Sequence, residues 1–308
     1  MRVRNIFSFM QRQWQTIWQP QHDDCIACHR TMTSYGAYPG LCSICAASIP
    51  WIIDLKCSVC GRAEICPDCR RTPFAYRSFM LNRSAVSYTP DIRQWLAEYK
   101  YRGNERYAGL FGVLMEHGYY RMQTELSLHY NRFWQPDLIT WVPASADRLQ
   151  SRGFDQAQVM AQQLADKLRI PCLPLLQRNR HTDKQSSQGR AGRLRNVQGI
   201  FSCLPEANDW LARWQQNQDN EHCYSRGAHV LPLSRGLASR PLSLAKALQN
   251  TFLLGPIKEK QSPRPLQLLL IDDIYTTGST INSCASALLE SAQRQEQLAI
   301  FSLTCARS

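Results

Sequence analysis

Apolar positions along this chain follow two spacings. In some stretches they recur every three or four residues: Ile92, Trp95, Leu96 and Tyr99 in 91–102, the stretch 106–122, Val159, Met160, Leu164 and Leu168 in 154–168, and Ile281, Cys284, Ala285, Leu288 and Leu289 in 281–293. That spacing lines one face of a helix. Elsewhere they form short runs, at 138–142 (ending at Pro143), 171–176, 268–271 and 298–305. Such runs suit strands buried on both faces. Their alternation predicts an α/β domain over 85–308, built on a mostly parallel sheet with helices on both sides.

Two segments fall outside this scheme. Residues 1–20 place Phe7, Met10, Trp14, Ile17 and Trp18 at helical spacing opposite arginines and glutamines. This amphipathic segment is expected to dock on the chain's own next domain, a membrane surface being the alternative. Residues 202–265 mix Gln, Asn, Ser and Pro and read as a flexible insert, with one helix at 242–254. A length of 308 residues exceeds one usual domain. No apolar run approaches the ~20 residues of a spanning helix, and the N-terminus lacks a signal-peptide core, so no integral membrane segment and a cytoplasmic location are expected.

Charge narrows the partners. The formal net charge is +12, and ten Lys/Arg against three Asp fall between Arg148 and Arg195. An arginine-rich stretch of that kind suits pyrophosphate or single-stranded nucleic acid, with a solvated charged face as the plain alternative.

Eight of the thirteen cysteines make four pairs of one spacing: Cys25 and Cys28, Cys42 and Cys45, Cys57 and Cys60, Cys66 and Cys69. Two residues between thiolates let one turn aim both sulfurs at a single ion, and two such turns complete a tetrahedral site. The segment 21–75 is turn-rich and too poor in apolar residues for a core of its own, which fits a metal-dependent fold. Two structural Zn²⁺ ions in Cys₄ sites are expected there. The pairs could combine consecutively or interleave; local loop closure favours the consecutive arrangement. His22 and His29 are surplus beside eight thiolates, and Cys172, Cys203, Cys223, Cys284 and Cys305 read as small apolar residues.

After the run 268–271 come Asp272 and Asp273, then Ile274 and Tyr275, then Thr276, Thr277, Gly278, Ser279 and Thr280, then a helical stretch. Strand, glycine-containing hydroxyl loop and helix start, in that order, make an anion cradle of converging backbone N–H groups. The two carboxylates would repel a phosphate, so their natural partners are sugar hydroxyls or Mg²⁺-linked groups.

Residues 269–280 resemble the phosphoribosyl pyrophosphate (PRPP) signature of type I phosphoribosyltransferases. That resemblance implies that Asp272 and Asp273 hold the ribose hydroxyls and stabilise charge at the reacting carbon. It also implies that Thr276–Thr280 wrap the 5′-phosphate, with Mg²⁺ accompanying PRPP. Further residues resemble the ComF family, also called GntX-like competence proteins: Lys100, Tyr101, Arg102 and Gly103; Trp141 to Ala144; Arg148 to Ala157; Gln185 and Ser186; Arg190 to Asn196; and Gly199 to Phe201. That family sets a cysteine zinc finger before a phosphoribosyltransferase-like domain, and members with two knuckles support consecutive pairing. The loop Val142, Pro143, Ala144 and Ser145 matches the place where phosphoribosyltransferases bind pyrophosphate, although relatives usually carry a large residue after Val-Pro.

The resemblance implies a PRPP- and Mg²⁺-binding protein of DNA uptake in natural transformation. Lys100, Arg102, Arg148, Arg152, Arg190, Arg193 and Arg195 are its expected contacts to single-stranded DNA or pyrophosphate, and the uptake machinery is a partner. Tyr99, Tyr101 and Tyr107, interleaved with basic residues, are candidates for base stacking, helix packing being their commoner use. The alternative is an active phosphoribosyltransferase of nucleotide metabolism, whose acceptor has no legible pocket. No helix-turn-helix marks a sequence-reading regulator.

Overall fold

A computed structural model describes residues 24–32, 36–64, 66–71, 77–102, 106–179, 199–211, 264–292 and 295–308, with the backbone alone at 68, 71, 101 and 102. The expected helices of 1–20 and 242–254 lie outside these residues. Two short helices, α1 (Ser43–Ala47) and α2 (Pro67–Arg71), belong to the cysteine region. The α/β part follows as β1 (Asn82–Ser87), α3 (Pro90–Arg102), α4 (Arg106–His129), β2 (Leu138–Trp141), α5 (Ala146–Arg152), α6 (Gln156–Leu168), β3 (Leu176–Arg178), β4 (Phe201–Cys203), β5 (Leu266–Tyr275), α7 (Ser279–Ser291) and β6 (Leu298–Arg307).

Four strands form one sheet in the order β1-β6-β5-β2, with every pairing parallel. All C-terminal ends therefore meet along one edge, where open α/β sheets place ligands. Helices α4 and α6 cover one face, through Leu110, Phe111, Leu114, Met160 and Leu164 against Leu269, Ile271 and Leu303. The other face packs α7, through Ile281, Cys284 and Leu288, against Leu268, Leu270 and Ile300. The α/β expectation, parallel sheet included, is what the chain forms.

Several elements differ from the pattern reading. Helix α4 runs to His129 rather than 122, burying Leu126 in its last turns. In 171–176, Cys172 makes a single bridge to Ile139, while β3 pairs antiparallel with β4. Residues 201–211, partly inside the expected insert, contribute β4 and bury Ala207 and Leu211 on the α7 face; 212–263 lie outside the described residues.

Strand β1 has only Ala85 and Val86 as apolar residues because its other buried side chains, Asn82, Arg83 and Ser84, are polar and satisfied by neighbours. Ser84 Oγ lies 2.6 Å from Thr304 Oγ1, Ser302 Oγ donates to Asn82 Oδ1 at 3.0 Å, and Arg83 is held bidentately by Glu125. On its outer side the cysteine region is stitched to it: Ile52 N–H donates to Ala85 O, Ser87 N–H to Pro50 O and Asn82 N–H to Val59 O. Among the described residues no helix is long and apolar enough to cross a membrane.

Candidate functional site

The eight cysteines gather into two groups, Cys25, Cys28, Cys42 and Cys45, and Cys57, Cys60, Cys66 and Cys69, with the sulfurs of each within 4.8 Å of one another. The pairing is consecutive. Four sulfurs around a zinc ion would stand about 3.8 Å apart from Zn–S distances of about 2.3 Å, and Cys28 Sγ and Cys42 Sγ are 3.9 Å apart. In both first knuckles a turn closes back, His29 N–H to Cys25 O and Gly61 N–H to Cys57 O. The residue after each second cysteine takes a left-handed backbone, His29 at φ 57° and Gly61 at φ 68°. His29 therefore serves the turn.

The thiols of each group cannot all ionise unaided. Burial pushes the Cys25 thiol up, but N–H groups of Cys42, Cys28 and Ala27 outweigh it and bring it down to about 6. Burial and the neighbouring sulfurs drive Cys45 upward, and burial and the charge at Cys60 do the same to Cys69. A cation at the centre of each group relieves this conflict, and soft thiolate sets favour zinc. Each group could therefore hold one zinc ion.

The sheet edge gathers the second constellation. Strand β5 extends four residues past the expected 268–271, so Asp272 and Asp273 sit within the strand. Adjacent strand residues face opposite sides. Asp273 pairs with Lys100 of α3 and influences Cys305, whereas Asp272 influences Cys284 of α7. Burial holds Asp272 well above the usual carboxylate range and the Asp273 charge adds to it, while the Asp273 N–H, donating at 2.8 Å, and Lys100 act oppositely.

Beyond Tyr275 the loop Thr276–Gly278 leads into α7. Gly278 adopts φ +83°, and a Cβ there would stand 2.1 Å from Tyr275 Oη, so glycine is required on both counts. It gives α7 no side-chain cap, and the first i→i−4 bond is Asn282 N–H to Gly278 O. The N–H groups of Ser279, Thr280 and Ile281 are thus left without helical partners beside the exposed Thr276 and Thr277.

The loop 142–145 leaves β2 alongside, anchored by Val142 N–H to Ile271 O at 2.9 Å. Ser145 caps α5 by accepting from Arg148 N–H. The buried Asp155 was missed in the sequence as a site residue. Its carboxylate takes Ala144 N–H at 2.8 Å and also caps α6 through Ala157 and Gln158. Burial raises it against those three bonds, and Asp273 adds to the rise. An aspartate immediately before a helix start, able to accept from the N–H groups two and three positions on, was the available signal.

Arg178 of β3 was also missed as a site residue. Partial burial of its head group and then the nearby Arg148 bring its pKa down from the usual arginine range, with Cys284 and then Asp272 acting the other way. Arg148 is exposed, and Arg152 donates to Gln156 Oε1 at 2.8 Å. The side chain of Arg102, and Arg190, Arg193 and Arg195 entirely, lie outside the described residues. Base stacking by Tyr99 and Tyr107 is ruled out by packing: they are 2% and 1% exposed in the core, and Tyr107 Oη donates to Ile26 O. The side chain of Tyr101 is outside the described residues.

No family model matches the chain. Among curated proteins, Competence protein ComFC of Bacillus subtilis (strain 168) is 22% identical over 260 residues, covering 81% of this chain and 78% of the relative. A match of that extent reaches far beyond the β5 motif.

Proposed function

We propose that this chain, similar over 81% of its length to a competence protein, is a ComF-family protein that binds PRPP with Mg²⁺ at the sheet edge and handles single-stranded DNA during competence. The observation that carries the PRPP reading is one convergence. Two acids at the end of β5, an uncapped helix start behind Gly278 and the neighbouring β2 loop all open on one edge, with Lys100, Arg148 and Arg178 around it.

In this reading the α7 N–H groups and the hydroxyls of Thr276, Thr277, Ser279 and Thr280 take the 5′-phosphate, where the helix dipole favours an anion. Asp272 and Asp273 take the ribose hydroxyls from the two sides of the strand. The 142–145 loop borders the pyrophosphate, but Ala144 N–H is already engaged by Asp155. Neutralisation there falls to Arg148, Arg178 and the Mg²⁺ that accompanies the ligand, which supplies charge compensation between phosphates. Lys100 balances the acid pair until the ligand arrives.

In this reading single-stranded DNA is the polyanionic partner of the chain. The surplus of basic residues, rather than the buried tyrosines, is what would hold it.

Calorimetric titration of the zinc-loaded chain with PRPP and Mg²⁺ tests the site. Saturable binding is expected, and Asp272→Asn/Asp273→Asn should abolish it. A folded wild type that takes up no PRPP would end this reading.

A further inference from the structure

The second cysteine group and the anion loop share one side chain. Arg307, at the end of β6, is 5% exposed and lies beside Tyr275 in the β5–β6 register. Its Nη2 donates to Cys60 Sγ at 3.6 Å. Its Nη1 donates to the carbonyls of Tyr275 at 3.1 Å and Thr276 at 2.8 Å, and also meets Ser308 O. The guanidinium carbon stands 4.8 Å from the centroid of the Tyr275 ring, whose Oη fills the space beside Gly278. One planar fork thus grips a metal-ligand sulfur, the two carbonyls that open the loop and the ring that backs its glycine. Lysine could not reproduce such a set, having no planar fork.

A second link runs in parallel. Ser78 N–H, from the segment that leaves the cysteine region, donates to Asn282 Oδ1 in the first turn of α7 at 2.9 Å. Phe79 packs edge-on against Tyr275 with centroids 6.4 Å apart.

We infer that Arg307 is a positioning residue through which metal at Cys57, Cys60, Cys66 and Cys69 sets the shape of the Tyr275–Gly278 loop, so that metal occupancy and phosphate binding are linked. The inference rests on the phosphate-binding reading of that loop and extends it to its regulation. The metal fixes where Cys60 Sγ stands, and Arg307 transmits that position to the carbonyls of Tyr275 and Thr276. Outer partners of metal ligands typically change affinity or activity by about 10–100-fold when altered, and any such linkage is reciprocal.

The test follows amide hydrogen exchange at 275–282 by mass spectrometry, in full-length wild type and Arg307→Lys. It is read with zinc-loaded chains and again as a chelator withdraws zinc. PRPP and Mg²⁺ affinity is measured alongside. Arg307→Lys with two zinc ions per chain should exchange loop amides about tenfold faster and bind PRPP about tenfold more weakly. In wild type, loop protection should fall together with that of 57–69 as metal leaves; in Arg307→Lys the loop should no longer respond to metal.

Unchanged loop exchange in a zinc-loaded Arg307→Lys overturns the inference. So does a wild-type loop that stays protected after 57–69 has lost its metal, an arm that decides the matter even if the variant does not fold. Absence of PRPP binding by wild type would instead sink the phosphate reading, leaving the exchange result to judge the Arg307 link alone.

Discussion

Asp272 shows how a side chain suited to a ligand weighs on the unliganded fold. Its carboxyl lies above the usual range because burial, and then Asp273, disfavour the charge. An unfolded aspartate titrates near about 3.9, so above that pH the folded chain holds the proton more tightly and its stability contribution from this group falls as pH rises. Asp272→Asn removes the cost. It is expected to raise the melting temperature at about pH 8, by a margin that shrinks as pH falls toward about 4, while abolishing PRPP binding. Melting curves at about pH 8 and pH 5.5 check this, and an unchanged or lower melting point at the higher pH would contradict it. The acid pair was legible from its place after an apolar run. Asp155 and Arg178 were not legible as site residues, because what recruits them is a loop N–H and a neighbouring arginine supplied by the tertiary fold.

At the level of elements, the loop after β5 depends on a residue without a side chain. Two left-handed glycines allow the cause to be separated: Gly278 faces Tyr275 Oη, whereas Gly153, at φ +79°, would set its Cβ in open space. Gly153→Ala should cost about 1–2 kcal/mol, the backbone term alone. Gly278→Ala should cost more and weaken PRPP binding at least about tenfold, since Tyr275 must move. Denaturant unfolding of both variants measures the difference, and equal costs would remove Tyr275 from the argument. The helices with regular apolar spacing and the strands at 138–142, 268–271 and 298–305 were readable in advance. Strand β1 was not, because its interior is a polar ladder of Asn82, Ser84, Ser302 and Thr304 whose partners are over 200 residues away. The extension of β5 was hidden for a related reason: the apolar run ends at Ile271, and the strand continues only because Thr304 pairs opposite Asp272 and Ala306 opposite Ile274.

For the molecule as a whole, the net charge of +12 sets the expected manner of binding DNA. Affinity for random single strands, read by fluorescence anisotropy, should fall linearly on a log–log plot against salt, with a slope of roughly −0.7 per phosphate contacted. Arg148→Glu should lower both affinity and slope. A salt-independent affinity would point to a different mode of recognition.

The seam between the cysteine region and β1 has a consequence of its own. The backbone groups of Ala85, Ser87 and Asn82 on the outer side of β1 are occupied by Ile52, Pro50 and Val59, residues that lie between or within the two cysteine groups in the chain. Without metal, a strand at the margin of a four-stranded sheet would be left bare, and bare margins recruit other chains. Zinc starvation should therefore reveal itself first as aggregation, with soluble yield tracking metal supply while the sheet itself remains folded.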